Sequence, residues 1–107
     1  MTLSDPVPQE ARTELERLVR RWQQLPLDRA LAHVPAVRAL TQRYVDLSWP
    51  AHATAVGADV APRLPDLGPA TVMDQLTVSV YDLAVAGLQS DQVDLVEELA
   101  DLRRRIG

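Results

Sequence analysis

The chain has 107 residues, contains no cysteine and carries a formal net charge of −4 at pH 7. Disulfides and thiolate metal sites are therefore excluded, and the negative charge argues against broad nucleic-acid binding, which depends on cations that neutralise phosphates. The length predicts a single helical domain, residues 1–107, and the absence of a signal-peptide pattern or a long apolar run predicts a cytoplasmic protein with no membrane contact.

All 11 basic residues are arginine. With the frequent Ala, Val, Leu and Asp, this is typical of coding bias in a GC-rich bacterial genome, and we favour that interpretation over selection for guanidinium chemistry. The sequence contains two Trp, two Tyr and no Phe. The core must therefore be aliphatic, and the chain has no aromatic platform on which bases would stack.

The first helix is predicted over about 8–25, after a loose arm at 1–7 in which Ser4 or Asp5 caps the helix. Apolar residues recur at helical spacing on one face, and polar residues occupy the other. The apolar face consists of Ala11, Leu15, Leu18, Val19, Trp22 and Leu25. This pattern indicates an amphipathic helix that packs on one side only.

Pro26 is expected to end the first helix, because proline lacks the N–H that a helix interior requires. A short helical turn at 29–34 and a second helix at about 35–48, opened or kinked by Pro35, are predicted next. Trp49 is expected to stop this helix, because a residue before proline is disfavoured in the helical region. A long connection then covers 50–68, where we expect either a binding surface or a crossover held down by apolar residues, and we favour the crossover.

The most apolar segment, about 69–86, has two interpretations. Leu76, Val78 and Val80 alternate with polar residues, as in a strand. The 3-4-3-4 spacing of Met73, Leu76, Val80, Leu83 and Gly87 is instead typical of a helix. We favour a helix, because no second alternating run is present to pair with a strand. Since this helix is apolar on more than one side, we expect it to lie at the centre of the bundle.

The last helix is predicted over about 91–106, with Ser90 or Asp91 as its N-cap. Its first turn is acidic and its last turn is basic, which suits the helix dipole. The short break before it predicts an antiparallel hairpin with the preceding helix. The fold class is therefore all-α: a compact bundle of four main helices (about 8–25, 35–48, 69–86 and 91–106) plus a short helical turn at 29–34.

No catalytic set, metal-ligand spacing or cofactor motif is recognisable, so we predict no catalytic residues, no metal and no cofactor. Asp74 and Asp82 lie two turns apart and are expected to point in different directions, so they do not form an acid–base pair. A pocket between helices remains an alternative. Its candidate residues are His33, Arg38, Arg43, Tyr44 and His52.

The favoured hypothesis is a small non-catalytic protein that acts by protein–protein contact, as an adaptor, a regulator or a self-associating module such as a homodimer. The alternatives are a bundle that binds a small ligand or metal, a small enzyme, and, with less support, a nucleic-acid-associated regulator. The candidate partner-contact residues are Arg12, Arg17, Arg20, Arg21, Val78 and Val85.

Overall fold

The computed structural model describes residues 5–56, 61–87 and 93–107, with residues 51–56 described by their backbone only. Within these ranges the chain forms four helices and no strand, so the all-α prediction is confirmed. The helices are α1 (Gln9–Gln24), α2 (Leu27–Val56), α3 (Val72–Val85) and α4 (Leu95–Ile106).

The helices pack as two close pairs, α1 with α4 and α2 with α3, and fewer contacts join the pairs. Glu14 of α1 meets Arg103 of α4 at 3.1 Å, and Arg21 further along α1 donates to the carbonyl of Gly107 at the end of α4. These two contacts indicate that α1 and α4 run in the same direction. The predicted hairpin between the last two helices is therefore wrong as a packing unit, because α4 packs mainly against α1.

Helix α2 is continuous, which corrects the predicted turn at 29–34, the separate helix at 35–48 and the stop at Trp49. Pro35 and Pro50 both lie inside it. A proline in a helix interior costs about 3 kcal/mol, because one backbone hydrogen bond is lost and the ring crowds the preceding turn. Buried side chains lie on both sides of Pro35, including Ala30 and Val37. Packing of this continuous stripe against the other helices outweighs the local preference to break.

Helix α3 buries one face only. The predicted helical spacing is confirmed, since Met73, Leu76, Val80 and Leu83 are all buried, together with Val72 and Ala84. The expectation that the helix is buried on more than one side is wrong, because Val78 is 61% exposed and Val85 is 72% exposed. The helix starts at Val72 and not at Pro69, and it ends before Gly87, which has a φ of 75° as a left-handed residue after a helix should.

The N-terminal segment is less loose than predicted, at least over residues 5–7. Val7 is buried, and the Asp5 carboxylate accepts hydrogen bonds from the Val7 amide at 2.9 Å and the Tyr81 hydroxyl at 3.2 Å. Arg12 forms an ion pair with the same carboxylate. Asp5 thus ties the segment to α1 and α3 and does not cap α1, whose N-cap is Pro8.

Acid should release this attachment. The pKa of Asp5 lies below the ordinary 3.8, first because the Val7 amide donates to the carboxylate and then because of Arg12. A lowered folded-state pKa contributes stability above the unfolded pKa, and that contribution disappears as the pH falls through the folded-state value. We therefore expect Asp5→Asn to lower the melting temperature at pH 7, with the difference from the parent shrinking below about pH 4. A difference that does not change with pH would show that the charge of Asp5 is not involved.

Helix α4 begins later than predicted and uses a different cap. Its N-cap is Asp94, whose carboxylate accepts from the Glu97 amide at 3.1 Å, while Ser90 and Asp91 lie outside the described residues. We expect Asp94→Ala to lower the free energy of unfolding by about 1 kcal/mol, measured by urea denaturation, because it removes this bond. Asp94→Asn keeps the acceptor and should change the value by much less. Equal losses in both variants would contradict the capping role.

Candidate functional site

The connection between α2 and α3 is held in place by side chains of both helices. We call residues 61–71 the strap; they contain no helix or strand before the turn that leads into α3. Gln42 of α2 binds the strap backbone twice: its Nε2 donates to the Pro62 carbonyl at 3.1 Å, and its Oε1 accepts from the Leu64 amide at 3.0 Å. One amide side chain therefore fixes the register of the strap on α2.

Two further side chains complete this clamp. Arg38 of α2 donates to the carbonyls of Leu64 and Pro65, each at 3.1 Å. Gln75 of α3 donates to the same Pro65 carbonyl, also at 3.1 Å. Pro62 and Pro65 have no N–H to satisfy. With the carbonyls of Pro62, Leu64 and Pro65 and the Leu64 amide all hydrogen-bonded, few backbone groups of this stretch remain available.

An open, mostly apolar groove lies between the strap and α3, with a volume of about 370 Å³. We call it the outer groove. Its main lining residues are Val45, Leu64, Leu67, Asp74, Val78 and Asp82. Leu67 on the strap and Val78 on α3 are 60% and 61% exposed. Two large, exposed apolar side chains, one from the strap and one from α3, thus line one groove.

The ionisable residues that line the outer groove are acidic. Asp74 and Asp82 line it, and no arginine is among the described residues that do so. Asp66 lies beside Leu67, and one of its oxygens accepts from the Gly68 amide at 3.1 Å. Both aspartates on α3 border the same groove, which corrects the expectation that they point in different directions. Arg63 lines two neighbouring cavities, one of which shares Val45, Leu64 and Asp82 with the outer groove.

The predicted crossover is therefore only partly held down by its apolar residues. Leu64 is half-buried, Leu67 is largely exposed, and Val60 lies outside the described residues. Most of the attachment comes from Arg38, Gln42 and Gln75. The sequence contains no pattern for such side-chain contacts to a loop backbone, and only the prolines hint that the segment stays extended.

Most of the arginines predicted to contact a partner form contacts within the protein. Arg12 pairs with Asp5, Arg17 pairs with Glu14 at 3.2 Å, and Arg21 bonds the end of α4. Arg20 is exposed beside a cavity between α1 and α3. Val78 borders the outer groove, and Val85 is exposed two turns further along α3.

Two of the predicted pocket residues, Arg43 and Tyr44, meet at Glu98, but Arg38 lies apart from them. Arg38 reaches the strap, whereas Arg43 pairs with Glu98 of α4 at 3.1 Å on another side of α2. Tyr44 is fully buried and donates to Glu98 at 3.1 Å. Its pKa is raised, first by burial and then by the negative charge of Glu98.

The remaining two predicted pocket residues are histidines. His33 is half-buried on the first turns of α2, and the side chain of His52 lies outside the described residues. Over the described ranges, no group of three or more His, Cys, Asp or Glu residues is placed to hold a metal ion. In that same part of the chain, no helix combines the length and apolar character needed to cross a membrane.

Comparison with known proteins does not assign the chain to a family. No protein-family model matches the chain, and no curated protein or solved structure shows significant similarity to it.

Proposed function

We propose that this chain is a non-catalytic protein that acts by binding another protein, and that the outer groove is the docking surface. The observation that carries the proposal is the pair of exposed apolar side chains, Leu67 on the strap and Val78 on α3, that line one groove. Exposed apolar surface next to polar residues is typical of interaction sites, because its burial against a partner is favourable. The expected compartment is the cytoplasm.

The alternatives receive less support from the geometry. A ligand, metal or enzyme site would bring the candidate residues together, yet Arg38 and Arg43 act on different sides of α2. Nucleic-acid contact would need several available arginines on α1, yet Arg12 and Arg17 are paired with carboxylates. A homodimer through the outer groove is also a form of protein contact, and a selection experiment distinguishes it from binding to a different protein.

Substitution of Val78 should strongly reduce partner capture. Val78→Asp places a charge in the groove but leaves the core intact, because the native side chain is exposed. Central apolar contacts often contribute 2 kcal/mol or more to an interface, so we expect captured partner to fall by about 30-fold. The measurement is quantitative affinity capture from a lysate of the native organism, followed by mass spectrometry.

The matched control is Leu27→Asp, since Leu27 is 66% exposed at the start of α2, away from the groove. This variant should capture the same partner as the parent. Identical sets of captured proteins on all three baits, or a parent that captures nothing and is monomeric by light scattering, would contradict the proposal.

A further inference from the structure

We infer that the outer groove takes a basic amphipathic helix, a segment with apolar residues at helical spacing flanked by Arg or Lys. This inference rests on the proposed function and specifies the chemistry of the partner. It follows from the shape of the outward face of α3, from the bonding of the strap and from the charge around the groove.

The outward face of α3 has helical periodicity. Val78 and Val85 are seven residues apart, so they lie two turns apart on one side of the helix. Asp74 and Asp82 lie four residues before and after Val78, on the same side. A second helix laid along this stripe would meet apolar positions at a two-turn spacing, with carboxylates beside them.

An extended peptide is a poorer fit, because it would need backbone groups with which to pair. On the strap, the Leu64 amide is taken by Gln42, and the carbonyls of Pro62 and Leu64 are taken by Gln42 and Arg38. Pro62 and Pro65 have no N–H. A helix satisfies its own backbone and needs only side-chain contact, so it suits this surface.

The charge selects a basic partner over a second copy of the chain. Asp74 lines the outer groove and Asp66 lies next to Leu67, and neither has an ion pair among the described residues. A two-fold contact through this face would bring these acidic edges together, and like charges at an interface oppose binding. Arginine or lysine on an incoming helix would instead be attracted.

The test is selection of a displayed library of random 18-residue peptides against the full chain, with counter-selection against Val78→Asp. We expect the recovered peptides to have apolar residues three and four apart and an excess of Arg and Lys. Synthetic copies should bind in a fluorescence-anisotropy titration and weaken about 30-fold on Val78→Asp. Raising NaCl from 0.05 to 0.5 M should weaken binding about 3- to 10-fold, because salt screens exposed charges.

Variants that remove charge but keep side-chain shape isolate the contribution of the carboxylates. Asp66→Asn/Asp74→Asn keeps the shape of both side chains and should weaken the selected peptide about 10-fold, whereas Asp28→Asn, on the exposed start of α2, should not. Peptides that bind at Val78 but carry no basic excess, or a dimer that Val78→Asp dissociates, would overturn this inference while leaving protein contact standing. Selection of no peptide that depends on Val78, with a monomeric chain, would overturn both.

Discussion

Tyr44→Ala is expected to lower the free energy of unfolding by about 3–5 kcal/mol, the range for removal of a large buried aromatic side chain. Tyr44 is fully buried on α2, and its hydroxyl reaches Glu98 of α4. It therefore joins the two helix pairs where few other contacts do. A loss of this size is a large part of the 5–15 kcal/mol that is typical of a small domain.

Tyr44→Phe separates packing from hydrogen bonding. It keeps the ring and removes only the bond to Glu98, which retains its ion pair with Arg43. We expect a loss of about 1 kcal/mol. Both variants are measured by urea denaturation followed by circular dichroism. A loss below 1 kcal/mol for Tyr44→Ala would show that the ring does not link α2 to α4.

Removal of the two α2 side chains of the clamp, in Arg38→Ala/Gln42→Ala, is expected to free the strap without unfolding the bundle. The pair makes four hydrogen bonds to the strap backbone. At about 0.5–1.5 kcal/mol each, their loss should lower the free energy of local opening by 2 kcal/mol or more. Exchange of the Leu64 amide hydrogen should then accelerate by at least about 30-fold.

The matched control is Arg20→Ala/Gln24→Ala, which removes the same two residue types at the same four-residue spacing from the exposed side of α1. It should leave the exchange of Leu64 unchanged. The clamp variant should also lose affinity for groove-binding peptides, because the strap no longer holds Leu67 in the lining of the groove. Unchanged exchange of Leu64 in the clamp variant would mean that contacts other than these hydrogen bonds position the strap.

The sequence predicts well the helices whose buried face follows from the spacing of their own apolar residues. The apolar face of α1 and the buried stripe of α3 both repeat at helical spacing, and both are buried in the structure. Pro35 and Pro50 predicted breaks in α2 because their effect is local, whereas the packing that overrides them comes from distant helices. The pairing of α4 with α1 is likewise a long-range property that no local pattern reports.

The candidate site also contains some residues that the sequence could predict and others that depend on long-range packing. Val78 and Val85 could be selected from the sequence, because they are apolar residues opposite the buried stripe. The role of Gln42 could not, because a glutamine on a polar helix face is ordinary until the strap lies across it. Leu67 and Asp74 lie on different elements, and only the path of the strap brings both to one groove.

Chemical-shift mapping tests the central claim, that the outer groove is the docking surface, most directly. Amide spectra of the isotope-labelled chain are recorded while a peptide selected on the parent protein is added. The largest shifts are predicted at Leu64 and Leu67 on the strap and along α3 around Val78. Shifts concentrated instead on α1 around Arg20, or between α2 and α4 around Arg43, would place the binding surface elsewhere and contradict the account.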